Sequence, residues 1–166
     1  MRLAREAGAY AYYRMISSGQ DPVVTREGRE LVMLGSNNYL GLTSHPEVKE
    51  AAAMALALYG TGCAGSRLLN GTLDLHVELE QKLARFMQRE AALVFSTGFQ
   101  VNLGVLSCLI GRRDVALLDG LVHACIVDGA RLGFGKVWKF RHNDAADAAR
   151  KLLAAPDSAG KLIVVD

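Results

Sequence analysis

The spacing of apolar residues changes character near residue 90. Ahead of that point the chain reads as helices joined by polar breaks. Residues 2–18 favour a helix, and Gly19, Gln20, Asp21 and Pro22 stop it. Two short extended pieces, 23–25 and 31–34, flank Glu27, Gly28 and Arg29, a composition that suits a hairpin turn. Ser44 and Glu47 stand at capping-box spacing and open an Ala-rich run to Tyr59, which predicts a helix ended by Gly60. A further helix is expected over 73–89, with Leu75, Leu79, Leu83 and Phe86 on one face and Glu78, Lys82 and Arg85 elsewhere.

Beyond residue 90 short apolar runs alternate with helical stretches. The runs 91–95, 115–118, 136–140 and 162–165 predict strands, while 100–110, 122–132 and 144–153, the last capped by Asn143, predict helices. Strands this uniformly apolar belong to parallel sheets buried on both faces; exposed antiparallel strands alternate apolar and polar residues. The predicted fold class is α/β: a three-layer, mostly parallel sheet with an N-terminal helical and extended arm. The arm is assigned to residues 1–60 and the sheet domain to 61–166. The chain shows no repeat of fixed period and no low-complexity block.

With 51% apolar residues the 166-residue chain has material for a substantial core. A formal charge of +2 with scattered basic residues leaves no stripe to follow a phosphate backbone, which excludes nucleic acid as the expected partner. Cys63, Cys108 and Cys125 form no CxxC pair and join no His at metal-ligand spacing, so no metal site is expected and reduced thiols in a cytoplasm fit best. Arg2, Arg5, Glu6 and Arg14 interrupt the N-terminal apolar residues, against a signal peptide or membrane span. The last six residues, KLIVVD, read as a buried strand with nothing after it, from which a fragment of a longer protein is expected.

Three segments carry candidate chemistry. GTGCAG at 60–65 matches GxGxxG, but a dinucleotide fingerprint needs a strand before it and a helix opening from it, whereas a capped helix precedes this one and SRLLNGT follows. Its glycines instead allow turns or close approach to a ligand. FSTGF at 95–99 stands where a strand hands over to a helix. There the free amides and positive dipole end favour a phosphate, Ser96 and Thr97 add hydroxyls and Gly98 allows close approach; an ordinary Ser/Thr cap is the competing explanation. DGLVHA at 119–124 follows the next predicted strand, on the edge where α/β proteins bind ligands. His123 could stack on a planar ring or exchange protons there, or be a structural histidine bonded to Asp119 or Asp128. His76 reads as structural, His45 as part of a helix start, and His142 as the residue before a cap.

Taken together, SNNYLGL at 36–42, GTGCAGSRLLNGT at 60–72, FSTGFQVN at 95–102 and DGLVHACIVDGAR at 119–131 resemble the α-oxoamine synthases in order and spacing. That family comprises homodimeric fold-type I pyridoxal-phosphate enzymes that join an acyl-CoA to a small amino acid with loss of carbon dioxide. The resemblance implies the large-domain fold of those enzymes, here truncated, with pyridoxal 5'-phosphate as cofactor. It sets Thr97, Gly98 and Phe99 at the cofactor-phosphate turn, His123 against the pyridine ring, Asn37 beside the amino-acid substrate and Ser66 where the amino-acid side chain is distinguished. Aminolevulinate synthase resembles this segment but with Thr at that place, so Ser66 leans towards alanine or serine. GSRLLNGTLDLH is similar to bacterial serine palmitoyltransferase-like members.

The chain departs from the family in one large respect. The Schiff-base lysine and the aspartate facing the pyridine nitrogen have no counterpart, and Lys49, Lys82, Lys136, Lys139, Lys151 and Lys161 match no family lysine. No catalytic residue is therefore nominated, and the chain alone is expected to be inactive. A non-catalytic subunit or fragment of the same fold is the alternative, which the retained FSTGF and His123 oppose.

Overall fold

In the computed structural model, which describes residues 2–10 and 12–166, the chain folds as two units, 1–72 and 73–166. The first unit holds α1 (Arg2–Glu6), β1 (Val23–Arg26), β2 (Arg29–Val32) and α2 (Pro46–Tyr59). β1 and β2 form an antiparallel hairpin in which Val24 faces Leu31 and Arg26 faces Arg29. Its turn is two residues long: Glu27 and Gly28 both have positive φ, 52° and 74°, as a primed hairpin turn requires.

The helix expected over 2–18 is corrected to the single turn and a half of α1. Ser17 is taken up by the hairpin instead, its amide and hydroxyl both donating to the Thr25 carbonyl, while Ser18 Oγ accepts from the Thr25 amide. Tertiary pairing thus outweighs a weak local propensity. The capping box at 44–47 does not form either. His45 is the N-cap and makes no side-chain bond; Pro46 opens α2 with φ already set and no amide to satisfy.

The second unit runs α3 (Asp74–Phe86), α4 (Gly98–Leu109), β3 (Val115–Asp119), α5 (Ala124–Leu132), β4 (Lys136–Phe140), α6 (Ala145–Ala154) and β5 (Lys161–Val164). The strands form one parallel sheet in the order β4-β3-β5, and every residue of β3 is buried. Its side chains alternate between two helix layers. Ala116 and Leu118 pack with Leu106 and Ile110 of the α4 end and with Cys125, Ile126 and Ala130 of α5. Leu117, on the opposite face, packs with Phe140 and with Ala148 of α6. This is the three-layer α/β arrangement.

Contacts between α4 and α5 are close and set their direction. Asn102 Nδ2 donates to Cys125 Sγ at 3.1 Å, and a Cβ on Gly129 would lie 2.5 Å from the Asn102 carbonyl oxygen. Further along, Ile110 lies against Gly133. Partners 102 with 125 and 110 with 133 keep one offset, so the two helices run parallel and start at the same end of the sheet.

Two further expectations are corrected. Residues 91–95 form no strand among the described residues; the Val94 amide donates to a side chain, Glu80 Oε1, at 2.9 Å. Asn143 is not the cap of α6. Asp144 is, its Oδ1 accepting the Asp147 amide at 2.8 Å, while Asn143 takes φ 54° and turns its own amide to Asp119. The amphipathic helix at 73–89 forms as α3, yet Leu75, Leu79, Leu83 and Phe86 are all exposed and only Ala84 of that helix is buried. Among the described residues no helix is long and apolar enough to cross a membrane.

Candidate functional site

Residues 95–99 hand the chain into α4 through Thr97. Its backbone is extended and its Oγ1 accepts the Gln100 amide at 3.2 Å, the usual hydroxyl cap. Helix geometry leaves the amides of Gly98 and Phe99 with no carbonyl inside the helix to bond. Thr97, Gly98 and Phe99 are exposed, and a Cβ built on Gly98 would meet no atom within 4 Å. The result is an open cradle of N–H groups at the positive end of a helix, suited to a phosphate.

At the same end of the unit, β3 leads into α5 through the turn 119–123. His123 is the N-cap of α5, and its ring is tied by its own helix: the Cys125 amide donates to Nδ1 at 3.2 Å, and Cys125 Sγ lies 2.8 Å from the same nitrogen. With Nδ1 serving as acceptor, the neutral ring carries its proton on Nε2. Neither Asp119 nor Asp128 bonds the ring, so the carboxylate pairing considered from sequence is corrected to a capping bond with its own helix. Its backbone amide donates to Asp166 Oδ2 at 3.0 Å. His123 is exposed and free to meet a planar group.

Asp119 has another partner. Only 6% exposed, it accepts from the Leu121 amide at 2.8 Å, the Asn143 amide at 2.9 Å and His142 Nδ1 at 2.8 Å. These bonds, the Leu121 amide first and then that of Asn143, hold its carboxyl at about 2, below the ordinary 3.8, against the opposing effect of burial. Sequence reading missed this cluster, treating His142 as a residue ahead of a cap. The signal was Arg-His-Asn-Asp at 141–144 directly after a strand at the ligand-binding edge, where polar residues serve turns or sites. A cavity of about 480 Å³ opens beside it, lined among others by Asp119, Phe140, His142 and Asp166; Thr97, Gly98, Phe99 and His123 do not line it.

The remaining site residues belong to the first unit. Asn37 is exposed, its Oδ1 accepting from the Tyr39 hydroxyl at 3.4 Å, beside a hollow of about 550 Å³ that Asn38 and Thr43 also line. Ser66 sits in a tight loop: its carbonyl accepts the amides of Leu69, Asn70 and Gly71, and its Oγ accepts that of Leu68 at 3.2 Å. Gly71 passes so close to the Gly65 carbonyl that any Cβ would overlap it. The 60–65 glycines lie between α2 and α3 with no strand before them, which removes the dinucleotide reading. The structure brings Thr97, Gly98, Phe99 and His123 to one end of the second unit, and Asn37 and Ser66 are described only within the first.

Among the described residues no group of three His, Cys, Asp or Glu side chains could hold a metal ion. Lys136 and Lys161 begin their strands, at the end of the sheet opposite Asp119.

Residues 29–166 match the model of the family described as aminotransferase class I and II. The chain is 56% identical over 162 residues to serine palmitoyltransferase of Sphingobacterium spiritivorum, covering 98% of this chain and 41% of that protein. It is 47% identical over 161 residues to 8-amino-7-oxononanoate synthase of Geobacter sulfurreducens, with 97% and 41% covered. Among solved structures it superposes on serine palmitoyltransferase from S. paucimobilis with PLP and myriocin bound, at a TM-score of 0.93 and 35% identity, over 98% of this chain and 41% of that one. The chain thus spans about two-fifths of the length of the relatives it matches. With the family model covering most of its length and the fold agreeing, this chain belongs to the aminotransferase class I and II family.

Proposed function

We propose that residues 1–166 form the N-terminal part of a pyridoxal-phosphate enzyme of the α-oxoamine synthase type, which condenses an acyl-CoA with a small amino acid and releases carbon dioxide and CoA. The observation that carries this reading is the common start of α4 and α5, which brings a phosphate-suited set of amides and an exposed imidazole to the same end of the sheet. A phosphorylated planar ring requires that pairing. The similarity to serine palmitoyltransferase supports serine as the amino acid, and Ser66 agrees with serine or alanine over glycine.

In this reading 1–60 is the arm and 61–166 part of the cofactor-binding domain. The amides of Gly98 and Phe99 hold the phosphate while Thr97 fixes the helix start. His123 lies against the ring, held by its Nδ1 acceptor bond to the Cys125 amide. Bound there, the cofactor supplies a conjugated ring that takes up the electron pair left when the α-proton of the amino acid is removed. Asn37 and Ser66 contact the amino acid. In this reading the Schiff-base lysine is contributed from outside residues 1–166, and the protein works as a cytoplasmic homodimer.

A chimaera tests the reading. Residues 1–166 are joined to the part of the Sphingobacterium spiritivorum relative that they do not cover. The expected product binds pyridoxal phosphate, seen as visible absorbance, and releases CoA from palmitoyl-CoA in the presence of serine. In it His123→Phe should keep much more turnover than His123→Ala, because aromatic area against the ring is what His123 supplies. A folded chimaera that binds no cofactor contradicts the proposal.

A further inference from the structure

The turn that carries His123 is held by two carboxylates, one at the end of β3 and one just past β5. Asp119, the last residue of β3, accepts the Leu121 amide on Oδ1 at 2.8 Å and the Asn143 amide on Oδ2 at 2.9 Å. Asp166, just past β5, accepts the His123 amide at 3.0 Å. Alternate amides of the turn, Leu121 and His123, are therefore each fixed to the sheet. The third donor to Asp119 is His142 Nδ1, at 2.8 Å, from the turn between β4 and α6.

This arrangement restricts the turn more than packing alone does. A buried carboxylate that gives up a donor is left under-solvated, so each bond resists movement of the backbone that supplies it. His142 contributes little else: its side chain is 60% exposed and bonds Asp119. Its removal should loosen Asp119 without opening the core.

We propose that Asp119, clasped by His142, is a positioning residue that fixes the turn 119–123 and thereby the angle at which the His123 imidazole meets a flat cofactor ring. The proposal rests on the ring-stacking reading of His123 given above.

The test compares His142→Ala, which removes the donor, with His142→Asn, which restores an N–H of similar reach. Both are made in the 166-residue chain. One readout is amide hydrogen exchange at Leu121, His123 and Asn143, with Leu106 in α4 as reference. The other is the affinity for pyridoxamine 5'-phosphate, a probe with the ring and phosphate but no aldehyde, so that no lysine is needed. His142→Ala should speed exchange at the three turn amides by about tenfold while Leu106 is unchanged, and weaken probe binding by about fivefold. His142→Asn should return both towards wild type.

Unchanged exchange in His142→Ala overturns the proposal. So does faster exchange with unchanged probe affinity, which would make the clasp structural only. If the wild-type chain binds no probe, the cofactor reading has failed while the clasp is still decided by exchange at Leu121 and His123.

Discussion

Asp119 and Asp147 are both buried, and both stay ionised because amides are turned towards them. For Asp147 the Arg141 amide, at 2.9 Å, has the largest effect; Arg150 and Lys151 add to it and burial opposes. Each carboxyl is lowered from 3.8 to about 2. A folded-state value below the unfolded one means stability that is complete above about pH 4 and is lost as pH falls towards about 2. Urea midpoints measured across that window should drop steadily in the wild type and less steeply in Asp147→Asn, which keeps Asp119 but has one such carboxylate fewer to protonate. A flat wild-type profile over the same range contradicts this account.

At the scale of elements, α4 and α5 approach each other closely. Gly129 makes that possible: a side chain there meets the Asn102 carbonyl oxygen at 2.5 Å and the Leu103 Cα at 3.1 Å. Gly129→Val should therefore cost about 2 kcal/mol or more of unfolding free energy, the usual range for overpacking. Gly98→Ala, facing open space, should stay within about 0.5 kcal/mol, yet its methyl group would fill the amide cradle and weaken phosphate binding. Chemical denaturation of the two variants checks the contrast; similar losses would show that the helix pair tolerates the added bulk.

For the whole molecule the question is whether any of its lysines can hold an aldehyde cofactor. Lys136 and Lys161 start their strands at the far end of the sheet, Lys82 pairs with Glu78 at 2.6 Å, and Lys151 bonds the Lys139 carbonyl and Asp147. Borohydride reduction of the 166-residue chain with pyridoxal phosphate, followed by mass spectrometry, should find no stoichiometric adduct on a single lysine. An adduct concentrated on one position would identify a lysine that the family comparison overlooks.

The strands expected at 115–118 and 136–140 and the hairpin joining 23–25 to 31–34 were legible in the sequence because local chemistry decides them: short apolar runs and a turn built on Glu27 and Gly28; the helix expected from 100 begins two residues earlier, at Gly98, behind the Thr97 cap. The α/β class followed from the same runs, and the family from motif order. Partners separated in sequence were not legible. That His142 rather than His123 bonds Asp119, that Ser17 and Ser18 pair with Thr25 instead of continuing a helix, and that 91–95 stays outside the sheet depend on which groups the folded chain brings together. An amphipathic pattern such as that of α3 specifies a face to be covered and says nothing of what covers it. Periodicity is a property of neighbours along the chain, whereas hydrogen-bond partners 23 residues apart, as His142 and Asp119 are, are chosen only by tertiary structure.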